Sequence, residues 1–138
     1  MQITRYTLFL DKLNVQARIG IHDFERERPQ PLTISIEIDI APDQLPLRDD
    51  IADTFDYDWL RSEIITLVAT RHFDLQETLV RAIVEIVGTR QEVQRITVQT
   101  AKPSVYPDVA AVGCRLEAHR SPAAPIARQS IPRESFLE

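Results

Sequence analysis

Thr33-Ile34-Ser35-Ile36-Glu37-Ile38-Asp39-Ile40 alternates a polar residue with isoleucine along its whole length. Successive side chains of a strand point to opposite faces, so this period of two predicts a strand with one dry and one wet face. Upstream, Tyr6 to Ala17 is rich in apolar and β-compatible residues and reads as a first strand. Ile19-Gly20-Ile21-His22-Asp23-Phe24-Glu25 lies between the two, followed by a charged turn closed by Pro29 and Pro31. Downstream, Pro42 and Pro46 mark a loop through Asp49-Asp50.

The period then changes. Over Asp58 to Arg71, Leu60, Ile64, Leu67 and Val68 form one stripe, with Arg61, Glu63 and Thr66 off it, which is helical spacing. Phe73-Asp74 interrupts, placing Arg71 and His72 in a solvated turn. A second helix is expected over Gln76 to Thr89, with Gly88 near its end. Ile96-Thr97-Val98-Gln99-Thr100-Ala101-Lys102 returns to alternation, Pro103 to Pro107 reads as a loop, and Val112, Cys114, Leu116 and Ala118 share one face of a last strand. The order ββααββ points to an α+β fold, a four-stranded antiparallel sheet with both helices on one face. Such a sheet has two open edges, which favour pairing between copies. Residues 1–120 read as one domain, and 121–138, with Pro122, Pro125 and Pro132, as a flexible tail.

Composition narrows the function. The 138 residues carry 21 acidic and 16 basic side chains, a net charge of −5 that gives no electrostatic case for nucleic acid. No apolar run reaches the ~20 residues of a membrane helix. The single Cys114 excludes an internal disulfide and fits a reducing, cytoplasmic setting. The three glycines are too scattered for a phosphate-binding loop, and His22, His72 and His119 lack zinc spacing. Neither a cofactor nor a metal is expected.

Two ionisable residues stand at element boundaries. Lys102 ends a strand and Glu77 opens a helix, so a cation and a carboxylate can meet at one rim of the sheet as proton-transfer group and ligand anchor. Glu25 and Tyr57 hold comparable boundary positions. In these segments (Ile19 to Glu25, Asp53-Thr54-Phe55-Asp56-Tyr57, Phe73-Asp74-Leu75-Gln76-Glu77 and Thr100-Ala101-Lys102-Pro103) the chain resembles the dihydroneopterin aldolase family over roughly residues 3 to 120.

The resemblance implies the tunnelling fold, assembled into a ring-like barrel that stacks as a homo-octamer, with active sites between subunits. It also implies a cofactor-free retro-aldol cleavage of 7,8-dihydroneopterin within folate biosynthesis. On the matching positions, Lys102 becomes the general acid/base and Tyr57 the residue that reaches a neighbouring subunit's site and helps protonate the enol. Glu25 orients the hydroxylated tail of the substrate. Glu77 becomes the pterin anchor, flanked by Leu75 and Gln76, with Thr54 contacting the ring. Gln76 stands where the family more usually carries an apolar residue. Two other readings share much of this constellation: a dihydroneopterin triphosphate 2′-epimerase, with Arg26 and Arg28 as candidate phosphate contacts, and a pterin-binding oligomer without catalysis.

Overall fold

A computed structural model describes residues 1–121; all but the first residue of the expected tail, 121–138, lie outside the described residues. Four strands, β1 (Tyr6–Ala17), β2 (Gln30–Ile40), β3 (Val93–Tyr106) and β4 (Val109–His119), form one sheet in the order β1-β2-β3-β4. Every neighbouring pair is antiparallel. A short helix α1 (Asp23–Glu27) joins β1 to β2, and two longer ones, α2 (Tyr57–Thr70) and α3 (Gln76–Gly88), fill the chain between β2 and β3.

The isoleucine alternation does what its period predicts. Ile34, Ile36, Ile38 and Ile40 are at most 3% exposed, while Glu37 on the other face is open to solvent. Onto the isoleucine face pack Leu60, Ile64 and Val68 of α2 and Leu79, Val80, Ile83 and Val87 of α3. Burying each such side chain stabilises the fold by about 1.5–3 kcal/mol, so this layer dominates folding. Asp56 caps α2, its carboxylate accepting from the amides of Asp58 and Trp59 at 2.9 and 3.2 Å. The opposite face carries a charged lattice in which Asp39 accepts from Arg95, Arg5 and Thr7.

Two loop expectations are corrected. The end of the Ile19–Glu25 segment and the start of the charged turn after it form a helix, α1, and β2 starts at Gln30, before the expected Thr33. The loop expected over Pro103 to Pro107 is strand as far as Tyr106, so Lys102 lies within β3 and not at its end. Proline lacks the N–H a central strand needs, yet β2 leaves β3 after the Thr33–Ala101 pair, so Pro103 faces only β4 and the edge tolerates it. No helix among the described residues is long and apolar enough to cross a membrane.

Candidate active site

Lys102 sits one residue beyond the last β2–β3 pair, where β3 has an open side. Alternation puts it on the same face as the fully buried Thr100, the face that α3 covers. Its side chain, 14% exposed, runs toward the segment after β1. There Nζ lies 3.4 Å from the Ile19 carbonyl and forms an ion pair with Glu25 Oε2.

Glu25 reaches that point because two loops are zipped together. The Gly20 amide donates to the Phe73 carbonyl at 3.0 Å, and the Phe73 amide to the Arg18 carbonyl at 2.8 Å. This parallel bridge brings the end of β1 against the approach to α3. Helix α1 then turns Glu25 inward, and its Oε1 accepts from the His22 amide at 3.1 Å, closing a capping turn. The carboxylate packs directly on Gly20, whose φ of +125° suits glycine.

Glu25 is only 5% exposed. Burial pushes its carboxyl up, but the Lys102 hydrogen bond, the His22 amide and the positive charge of Lys102 outweigh that and hold it below its ordinary value. A buried carboxylate is therefore kept ionised against an ammonium at the sheet rim.

Helix α3 supplies the other wall. Its N-cap is Leu75, half exposed, with no side-chain acceptor, so the amides of the first turn are left free for a ligand. Glu77, in that turn, is exposed and favoured there by the helix dipole. It looks toward β4: the Cys114 thiol is pushed up, first by burial and then by the Glu77 charge. The Gln76 side chain, in contrast, is occupied within the protein by Thr100 and Val112.

Lys102, Glu25, Leu75, Gln76 and Glu77 thus share one end of the sheet, whereas Tyr57 and Thr54 lie elsewhere. Tyr57, 56% exposed, lines a cleft with Leu8, Ile38 and Leu60. Thr54 lies beside Tyr6 and Ile40. Ile38 pairs with Ile96, six residues before Lys102, which is roughly 20 Å along the strand. Within one chain Tyr57 is therefore remote from Lys102.

Sequence reasoning missed His72. Instead of standing in solvent, its ring is half buried, with Nε2 2.8 Å from the Gly20 carbonyl and 3.3 Å from Asp74 Oδ1. A carbonyl can only accept, so Nε2 carries the proton and steadies the backbone under Glu25. No periodicity marks this role, because the contact joins loops far apart in the chain. Arg26 is likewise engaged, pairing with Asp74 at 3.0 Å.

The fold and this rim define a small α+β protein with a largely buried lysine–carboxylate ion pair beside a helix N-terminus without a side-chain cap. The family model of dihydroneopterin aldolase matches residues 8–117. The chain belongs to that family. It is 26% identical over 106 residues to a dihydroneopterin aldolase of Haemophilus influenzae, covering 77% of this chain and 90% of that one. A Burkholderia dihydroneopterin aldolase bound to guanine superposes with a TM-score of 0.76 at 28% identity, covering 85% of this chain and 93% of that one. The Escherichia coli dihydroneopterin aldolase in complex with neopterin gives a TM-score of 0.76 at 25% identity, covering 82% and 98% respectively.

Proposed function

We propose that this protein cleaves 7,8-dihydroneopterin by a retro-aldol reaction to 6-hydroxymethyl-7,8-dihydropterin and glycolaldehyde. The observation that carries the reading is the Lys102–Glu25 ion pair, held at a sheet rim that the open α3 N-terminus shares. Neopterin and guanine, the ligands of the two related structures, both carry an amino-oxo-pyrimidine edge. The exposed Glu77 suits that edge, since a carboxylate accepts two parallel hydrogen bonds from an amino group and its neighbouring ring N–H.

With the pterin held by Glu77, its hydroxylated tail extends toward Lys102. The 2′-hydroxyl proton passes to the Lys102–Glu25 pair as the C1′–C2′ bond breaks. The electron pair of that bond forms C1′=C6 as the imine pair moves onto N5, giving an enamine-type anion, and glycolaldehyde leaves. Protonation at C1′ then restores the imine and completes the product. Tyr57 would take part in this last step from a neighbouring copy, because its own Lys102 is out of reach. That requires an oligomer with sites between subunits, and the open edges of β1 and β4 are the natural joints for the tunnelling-fold ring.

The epimerase reading gains little from Arg26, whose guanidinium is engaged with Asp74. The test is incubation of the pure protein with 7,8-dihydroneopterin, without added metal or nucleotide, and chromatographic separation of the pterins. Equal amounts of 6-hydroxymethyl-7,8-dihydropterin and glycolaldehyde are expected, and Lys102→Ala is expected to keep neopterin binding and lose turnover. Formation of the 2′-epimer alone, or turnover only of the triphosphate, would make the protein an epimerase. Binding without turnover of either would leave a pterin-binding oligomer.

A further inference from the structure

Gln76 opens α3 one residue before Glu77, yet its amide turns into the sheet. Its Oε1 accepts from Thr100 Oγ1 at 2.7 Å, and its Nε2 donates to the Val112 carbonyl at 3.1 Å. Thr100 is fully buried and, with Glu25, one of two buried polar residues among those described. Its hydroxyl lies under α3, and Gln76 is the partner that satisfies it.

Both contacts adjoin the reacting end of the site. Val112 is the β4 register partner of Lys102, and Thr100 precedes Lys102 by two residues on the same face of β3. One amide therefore grips β3 and β4 beside Lys102, while its own backbone leads directly into Glu77. The proposed substrate spans the same two points, with its ring at Glu77 and its tail at Lys102.

We infer that Gln76 is a positioning residue, a clamp that sets the spacing between the pterin anchor and the proton-transfer lysine without touching the pterin through its side chain. The inference rests on the functional reading above and deepens it. A free helix N-terminus on two strands can rock; a two-point hydrogen bond across both strands fixes it. Misplacing a reacting group by about 1 Å can cost ~100-fold in rate, so such a clamp has catalytic consequences without ligand contact.

The test is the pair Gln76→Leu/Thr100→Val, which replaces both partners of the buried hydrogen bond by apolar groups of similar size and so preserves folding. It leaves the Val112 carbonyl without the clamp. We expect kcat to fall about 10- to 100-fold with neopterin affinity changed by less than about threefold. Amide hydrogen exchange over 109–113 should accelerate. Thr100→Val alone, which breaks one of the two grips and keeps the bond to Val112, should lower kcat by clearly less than the pair does; if it loses as much as the pair, the clamp is overturned. So is it if the pair folds with wild-type kcat, or if affinity falls while kcat holds, which would mean direct pterin contact. Should the pair fail to fold, Gln76→Leu alone gives the same readouts. If the wild-type protein does not cleave 7,8-dihydroneopterin, the functional reading fails separately. Hydrogen exchange then decides the clamp: acceleration upholds it and unchanged exchange overturns it.

Discussion

Gly20→Ala tests the architecture that holds Glu25. An added Cβ would lie 2.5 Å from Glu25 Oε2 and closer still to the other carboxylate atoms. A glutamate tip ordinarily swings aside at little cost, but this one is pinned by Lys102 and by the His22 amide. The methyl group therefore forces a choice between rebuilding the loop and expelling the carboxylate. The φ of +125° adds a backbone penalty of about 1–3 kcal/mol for any residue other than glycine. Losing the hydrogen bonds of a buried carboxylate costs about 1.5–3 kcal/mol each, partly offset as the freed group regains water. The expected destabilisation is about 3–5 kcal/mol, a large share of the 5–15 kcal/mol typical of a domain. Urea unfolding would measure it as a lower midpoint at unchanged slope, and turnover should fall with it. The double variant Gly20→Ala/Glu25→Ala removes the collision but keeps the backbone strain. The two changes should therefore combine less than additively, with a coupling of about 1–3 kcal/mol. Gly20→Ala within about 0.5 kcal/mol of wild type, with normal turnover, would refute the packing argument.

Other outcomes follow from the same geometry. Glu25 and Asp39 both have carboxyls held below their ordinary values, Asp39 chiefly by Arg95. The unfolded chain thus takes up protons first, and the stability these groups contribute is full above about pH 4.5 and lost as pH falls through their depressed values. Glu25→Gln and Asp39→Asn should each flatten the acid limb of a stability–pH curve, and an unchanged limb would count against the ion pairs. Mixing inactive Lys102→Ala with inactive Tyr57→Phe after joint refolding should restore turnover if one copy lends Tyr57 to its neighbour; a mixture as inactive as its parents would sink the shared site. Ile64→Ala, at a fully buried position of α2, should cost about 2–5 kcal/mol in chemical denaturation without altering neopterin affinity.

The sequence determined a great deal of this protein by itself. The isoleucine alternation, the apolar stripes of α2 and α3 and the return to alternation before Lys102 made the ββααββ order legible, because local periodicity reflects which side of an element meets water. The place of Glu77 in the first turn of α3 was legible for a related reason, since ionisable groups at element ends are rarely needed to build a core. Lys102, by contrast, lies inside β3 and Glu25 inside α1, and Lys102 reaches a rim only because β2 stops pairing at Ala101. Tertiary structure alone decided who meets whom. That Lys102 pairs with Glu25, 77 residues away, depends on the Gly20–Phe73 zipper, whose backbone hydrogen bonds leave no side-chain signature. The same holds for His72 on Gly20 and for Gln76 between Thr100 and Val112, where an apparently exposed polar residue becomes an internal partner. The strand through Pro103 was hidden too, since proline's meaning depends on whether a neighbour is present to need its missing N–H. Pattern records each residue's preference for water; the partners that satisfy buried charge and hydrogen bonds are chosen only when distant segments arrive at the same place.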